Sequence, residues 1–423
     1  MQRYMAMLVF VILFTATIDS GAASGDENWP QWRGPDGTGV AAAGEYPMTF
    51  SKSKNVKWKV ELPGRGSSTP AVWGESIFVT CAIDGEDGVI CYGFDGKEKW
   101  RQKLGKEKAG KHRNASGSNA SPVVNGQNLV VYYKSGTVAC LTHAGEVLWT
   151  KNLIKEYGKD TLYWDRGTSP VLAAGNVVIA VMQEGGSYLV SLDLASGDVV
   201  WKSEREYNVN KESNHAYTTP AVVDLDGREA IVVWGADHLD AWDAEKGEKL
   251  WQANDFNPKN EKHWRAIASA AVDSEVAIVP YGRGNFVRAM KLADATGDVT
   301  ESHKLWEKSD LGSDVPTPIL HGDQVIVLAD RGSVFCFDKL TGEEKWQVKL
   351  PKGRAKYFAS PVMAGDTIYL TREDGVIMVG KETEGTLKVY AENDMGEATI
   401  ATPVPIRNHL LVRGLKHLFM IGK

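Results

Sequence analysis

A large aromatic residue returns along this chain at Trp58, Trp100, Trp149, Trp201, Trp251, Trp306, Trp346 and then Tyr390, at gaps near about fifty residues. A Ser/Thr-Pro pair keeps a similar interval, at Thr69-Pro70, Ser121-Pro122, Ser169-Pro170, Thr219-Pro220, Thr317-Pro318, Ser360-Pro361 and Thr402-Pro403. Ser269-Ala270 occupies the remaining slot. Two unrelated markers with one period mean that a single supersecondary unit is repeated. Residues 317–350 show what the unit is. Thr317 to Leu320 reads as a short strand, Gln324 to Ala329 as a β-branched buried one, Ser333 to Asp338 as a third, and Glu343 to Leu350 as a more polar fourth that carries Trp346. Gly-containing turns separate them. Four short antiparallel strands on tight turns make one blade of a β-propeller. Gly96, Gly145, Gly197, Gly247 and Gly342 each precede a tryptophan. They supply the positive φ, or the close backbone approach, that the last turn needs while the ring packs across to the next blade.

The ends of the chain give the blade count. The Ser/Thr slots mark eight first strands. After Thr402-Pro403 there is room for three strands only: Thr402 to Ile406, His409 to Arg413 and Lys416 to Ile421. The strand from Asn55 to Leu62, with Trp58, has no blade of its own. It is expected to complete the last blade, which pairs the free edges and closes the ring. The expected organisation is all-β, with a leader over residues 1–23, an N-terminal extension over 24–49 and an eight-bladed propeller over 50–423.

Composition limits the function. Of 423 residues, 43% are hydrophobic and 24% charged, with a formal net charge of -6. That is enough apolar material for one large core, and the mild acidity argues against a nucleic-acid partner. Gln2-Arg3, the apolar run from Met5 to Ile18 and the small residues Gly21 to Ser24 read as an export signal cleaved after Ala23. The run is short for a membrane span. An exported monomer of the bacterial periplasm or cell envelope is expected, not an integral membrane protein. No cysteine lies near the cleavage region, so no lipid anchor is expected. Export makes disulfides chemically possible. If the turn Asp84 to Gly88 is symmetric about Glu86, Cys81 and Cys91 face each other across two strands as a candidate disulfide. Cys140 and Cys336 read as small buried residues.

The spacing Asp193-(x3)-Gly197-(x3)-Trp201 recurs at Asp243, Gly247 and Trp251 and at Asp338, Gly342 and Trp346. It resembles the tryptophan-docking motif of PQQ-like, quinoprotein-type β-propeller repeats. Trp29-Pro30-Gln31-Trp32-Arg33-Gly34-Pro35, with Gly37 and Gly39, is similar to the N-terminal segment of exported bacterial members. The resemblance covers residues 50–423. It implies one of two activities. Quinoprotein dehydrogenases hold PQQ and calcium in the central funnel, beside a vicinal disulfide, with an Asp as base. The non-catalytic, BamB-like branch implies a scaffold in outer-membrane protein assembly. This chain has no adjacent cysteine pair, no Cys-x-x-Cys-His and none of the enzymes' long insertions. The expectation is a non-enzyme without cofactor, bound to a protein or peptide partner in an envelope assembly complex. A PQQ- and calcium-dependent oxidoreductase is the alternative.

Propeller register gathers one candidate surface. The connections into first strands and the turns between second and third strands share a face. The connections carry Arg65, His112, Arg113, Trp164, Asp165, Arg166, His215, Tyr217, His263, Trp264, Arg265, Lys356 and Tyr357. The turns add Arg283, Arg331, Arg372 and Arg413. Arginine with Trp and Tyr is the composition of recognition surfaces, so this rim is the candidate binding site for an acidic protein edge or an anionic ligand. No catalytic or metal-ligating set is expected. The loop histidines His112, His215, His263 and His303 stand singly and read as solvated. Asp224-Leu225-Asp226-Gly227 begins like a calcium loop but lacks the later ligands and reads as a turn. Trp58, Trp100, Trp149, Trp201, Trp251, Trp306 and Trp346 are expected to be structural, and Tyr132, Tyr133 and Trp234 to be packing residues.

Overall fold

In the computed structural model, residues 27–311 and 313–422 are described. The expected export leader lies outside the described residues. Eight antiparallel sheets succeed one another round a ring. Blades one to seven span residues 71–106, 123–152, 171–204, 221–253, 271–309, 319–349 and 362–394. Blade eight takes three strands from 404–421 and its outermost from Val56–Glu61, which pairs antiparallel with His417–Ile421. The ring therefore closes by joining the two ends of the chain. Blade six shows the burial gradient. Gln324–Leu328 is almost wholly buried, whereas Glu344–Lys349 alternates about Trp346. Alternation of this kind marks a strand with one face on its neighbour and one in solvent. Leu153–Tyr157 forms one short helix, N-capped by the Asn152 side chain, which accepts from the Lys155 N–H at 3.0 Å. Among the described residues no helix is long and apolar enough to cross a membrane.

The two sequence markers correspond to two sets of contacts between blades. Five of the seven docking tryptophans lie on the glycine of the following blade. Trp58, Trp100, Trp149, Trp201 and Trp306 rest against Gly96, Gly145, Gly197, Gly247 and Gly342. Their indole N–H groups donate to the carbonyls of Phe94, His143, Leu194, Ala244 and Lys339 at 2.9–3.0 Å. The motif aspartate makes that turn. In Asp193, Asp243 and Asp338 one carboxylate oxygen accepts the N–H groups two and three residues on. The glycine that follows sits at φ of +75°, +69° and +70°, so it is free of a side chain where the ring must land. Trp251 and Trp346 are buried without an acceptor for their N–H groups. Blade five has no such glycine contact, because Gly297–Asp298 instead lies parallel to the outer strand Lys249–Ala253 of blade four.

The Ser/Thr marker builds the axis. The backbone N–H of Thr69, Ser121, Ser169, Thr219, Ser269 and Thr317 each donates at 2.9–3.0 Å to the hydroxyl of the corresponding residue in the next blade. Ser269 keeps its place in this belt although no proline follows it, since the hydroxyl is the group that bonds. The belt lines a narrow axial channel of about 140 Å³ that Trp32 enters from the N-terminal segment. That segment straps the ring. Trp29 exchanges backbone hydrogen bonds with Val72, the Pro30 and Thr38 carbonyls accept from Val124 and Leu320, and Val40–Ala41 runs parallel to Val362–Ala364. Arg33 is buried and donates to the carbonyls of Thr38, Pro318 and Pro361.

The Cys81–Cys91 expectation is corrected by register. The hairpin turns at Asp84-Gly85, with Ile83 opposite Glu86, not symmetrically about Glu86. Cys81 therefore faces Gly88 and Cys91 faces Phe78. The two thiols lie on opposite faces of blade one, one packed towards blade eight and the other towards blade two. All four cysteines are unbonded and buried.

Candidate functional site

The connections into first strands and the second-to-third turns meet on one face and surround a funnel of about 390 Å³. Ring order divides its lining. Connections between blades one and four bring His112, Trp164, Asp165 and Tyr217. Blades four to seven bring Arg265, Arg283, Asp314, Asp330 and Lys356, so an aromatic side faces a charged one. Ile267, Val315, Phe358 and Ile400 add apolar surface.

The aromatic side is held by side-chain contacts. His112 and Trp164 meet edge to face at 5.5 Å, and exposed Tyr163 meets Trp164 edge-on at 4.9 Å. The Tyr217 hydroxyl accepts the Trp164 N–H at 3.2 Å. Asp165 anchors the loop before blade two. Its carboxylate accepts the N–H groups of Lys111 and His112 at 2.8 Å and pairs with the buried Lys134 ammonium. Burial alone would raise this acid, but the His112 N–H and Lys134 hold it below its ordinary value.

On the charged side most cations already have partners. Arg265 pairs with Glu212, and Arg283 lies 3.4 Å from Asp314. Burial lowers the Arg265 pKa, helped by the Arg283 charge. Asp330 accepts the N–H groups of Asp314 and Val315 at 3.1 and 3.4 Å. Burial, with the Asp314 charge second, pushes its carboxyl up to about 6.

Of the arginines and aromatics expected at the rim, Trp164, Tyr217, Arg265 and Arg283 line the funnel. Arg65, Arg113 and Arg331 are exposed around it. The others are packing or buried polar residues. Arg166 is buried over the Tyr132 ring beside Asp160. Tyr357 is buried beneath Gly332, and Arg372 lies under Gly353 and pairs with Asp374. Arg413 is buried and donates to the carbonyls of Ser68 and Thr80. Trp264 packs against Tyr281 and Phe286. His215, expected to be solvated, is buried as well. Tyr132, Tyr133 and Trp234 are buried as expected, and Asp224 closes its turn by accepting the Gly227 N–H. Sequence reasoning missed Asp314, Asp330, Glu212 and Glu373. Apart from Asp165 it gathered only basic and aromatic residues, although the turn Asp330-Arg331-Gly332 displayed its acid beside the arginine.

Calcium requires several oxygen ligands together. Here Asp165, Asp314 and Asp330 are engaged by Lys134, Arg283 and backbone N–H groups. Among the described residues no three His, Cys, Asp or Glu side chains group to hold a metal ion. Asp165, Asp314 and Asp330 therefore do not present a ready set of calcium ligands.

A family model described as outer membrane protein assembly factor BamB matches residues 24–216 and 134–387. Outer membrane protein assembly factor BamB of Burkholderia pseudomallei (strain K96243) is 24% identical over 344 residues, 79% of either chain. Among solved structures, BamB from Moraxella catarrhalis aligns with a TM-score of 0.62 at 16% identity, covering 86% of this chain and 96% of that one. Quinohemoprotein alcohol dehydrogenase from Comamonas testosteroni aligns at 0.70 with 11% identity, covering 94% and 81%. At such identities the structural matches show the fold, shared by binding proteins and enzymes alike. The family match, which spans most of the ring and its docking motifs, goes further: this chain belongs to the BamB family of PQQ-like β-propellers.

Proposed function

We propose that the protein is an exported, non-catalytic scaffold of the bacterial envelope that acts in the assembly of outer-membrane proteins. The observation that carries this reading is the family match across residues 24–387. The scaffold's partner is a protein or peptide held at the funnel face, and no cofactor is needed. Deleting the gene in the source bacterium and quantifying outer-membrane β-barrel proteins by mass spectrometry tests the role. Their levels are expected to fall and to recover when the intact chain is supplied; unaltered levels overturn the reading. The alternative, a quinoprotein oxidoreductase, has its own test. Adding PQQ and calcium to the purified protein is expected to give neither a bound-quinone absorption band nor alcohol-dependent dye reduction. A stoichiometric band with dye reduction would decide for the enzyme.

A further inference from the structure

Apart from Arg65, which donates to the Arg113 carbonyl, the cations of the funnel face fall into two groups. Arg113, Arg265, Arg283 and Arg372 are matched by Glu373, Glu212, Asp314 and Asp374. Among the described residues, Arg331, Lys349, Lys352, Arg354 and Lys356 are exposed and have no ion-pair partner. Backbone bonds draw these five to one corner. The Leu350 N–H donates to the Gly332 carbonyl at 2.8 Å, and the Tyr357 N–H to the Asp330 carbonyl at 2.9 Å. Both ends of the segment 351–356 are thus tied to the turn 330–332, and the Lys349 ammonium donates to the Arg331 carbonyl at 3.1 Å. Beneath the segment, a side-chain carbon at Gly353 would fall 2.1 Å from the Arg372 guanidinium. The corner adjoins the funnel, which Lys356 lines opposite His112 and Trp164.

Asp330 of the same turn feels the Lys356 charge and Glu373 accepts the Lys356 N–H, so the five cations leave a net excess of positive charge rather than a bare cluster, and in a chain of formal net charge -6 that excess is a local exception. We propose that this corner and the adjoining funnel mouth receive an acidic, aromatic-bearing extended segment of a partner protein. Its carboxylates would pair with Arg331, Arg354 and Lys356, and its aromatic side chain would pack against His112 and Trp164. Guanidinium forks match carboxylate geometry, and aromatic rings favour edge and offset contacts. The shape favours a polypeptide over a bilayer, because the cations border a concave mouth and not a broad flat face. The proposal deepens the scaffold reading and rests on it.

The test uses the purified protein and a fluorescein-labelled peptide of repeating Glu-Ser-Tyr, followed by fluorescence anisotropy. The triple variant Arg331→Glu, Arg354→Glu, Lys356→Glu is expected to weaken binding about tenfold or more, since reversal turns attraction into repulsion. Replacing the peptide's tyrosines by alanine should also weaken it several-fold. The control carries the same charge change on the outer strand of blade eight and its approach, as Lys54→Glu, Lys57→Glu, Lys59→Glu, and should stay within about twofold. Melting curves verify that each variant is folded. Equal loss in the control, no loss in the triple variant, or no binding of the acidic peptide overturns the proposal. Binding to phosphatidylglycerol vesicles in place of the peptide overturns the choice of occupant. Failure of the outer-membrane protein assay with peptide binding intact would remove the scaffold role and leave the docking surface standing.

Discussion

Trp201 and Gly247 behave as one unit although they belong to different blades. The indole is 9% exposed, donates to the Ala244 carbonyl at 3.0 Å, and lies where a side-chain carbon on Gly247 would come within 2.5 Å. Trp201→Ala is expected to cost about 3–5 kcal/mol, the range for removing a large aromatic from a core. Gly247→Ala should also destabilise, by collision and by its φ of +69°. In the double variant the collision with the ring disappears and only the approach to Ser203 Oγ at 2.9 Å persists, so the combined cost should be less than the sum of the two. Urea unfolding of the singles and the double checks this; strict additivity would mean that the residues do not touch. Asp87 carries a different prediction. It is buried in blade one, accepts from the Ser135 hydroxyl of blade two, and has one carboxylate oxygen without a partner. Burial pushes its pKa up to about 7 from 3.8. Between those values the folded protein holds a proton that the unfolded chain releases. This group's contribution to stability is therefore fully present below about pH 4 and is lost as the pH rises through about 7. The difference in unfolding free energy between Asp87→Asn and the wild type should shift in the variant's favour across that window. A difference that stays flat from pH 4 to 8 would show that Asp87 titrates normally.

At the scale of elements, closure depends on one strand. Val56–Glu61 is the outermost member of blade eight, with Lys59 opposite Phe419 and Val60 opposite Leu418. Its approach is fastened too, by the Phe50 N–H to the Asn393 side chain at 2.8 Å. Deleting residues 50–62 exposes the edge of His417–Ile421 and uncovers Gly96, on which Trp58 rests. Aggregation, or a fall in melting temperature of several degrees at least, is expected. A truncated protein that elutes as a monomer with unchanged melting would disprove this mode of closure. The strap is a second fastening, and Arg33 is its anchor. Among the described residues it has no acidic partner; its charge is spread over three backbone carbonyls, and burial lowers its pKa to about 9.

For the molecule as a whole, the two faces of the ring do different things. The strap and Trp32 occupy one end of the axial channel. The other end opens into the funnel, where aromatic and charged residues face each other and one corner keeps unmatched positive charge. The proposed scaffold role requires such an asymmetry, with one face left for a partner. The gene-deletion and peptide-binding experiments address the role and the surface separately.

The period of tryptophans and Ser/Thr residues determined the blade, the number of blades and the closing strand. Each marker makes one local contact that recurs at most junctions between blades, as the Trp201–Gly247 and Thr219–Ser269 pairs show. Alternation and turn residues also located the face on which the funnel opens, because strand direction settles which turns share a side. Which rim residues are available there was decided by the tertiary structure. Arg413, read as a turn residue, ends the strand His409–Arg413 and donates inward to Ser68 and Thr80, whereas Arg331 lies in a turn and stands in solvent. The difference lies in carbonyls supplied by blade one, more than three hundred residues away in the chain. The Cys81–Cys91 pairing failed for a similar reason at shorter range. A two-residue turn in place of a symmetric one about Glu86 shifts the pairing so that each thiol faces away from the other. Periodic contacts between neighbouring blades are written locally and can be read; the partners of a long polar side chain are set by whatever the closed ring brings beside it.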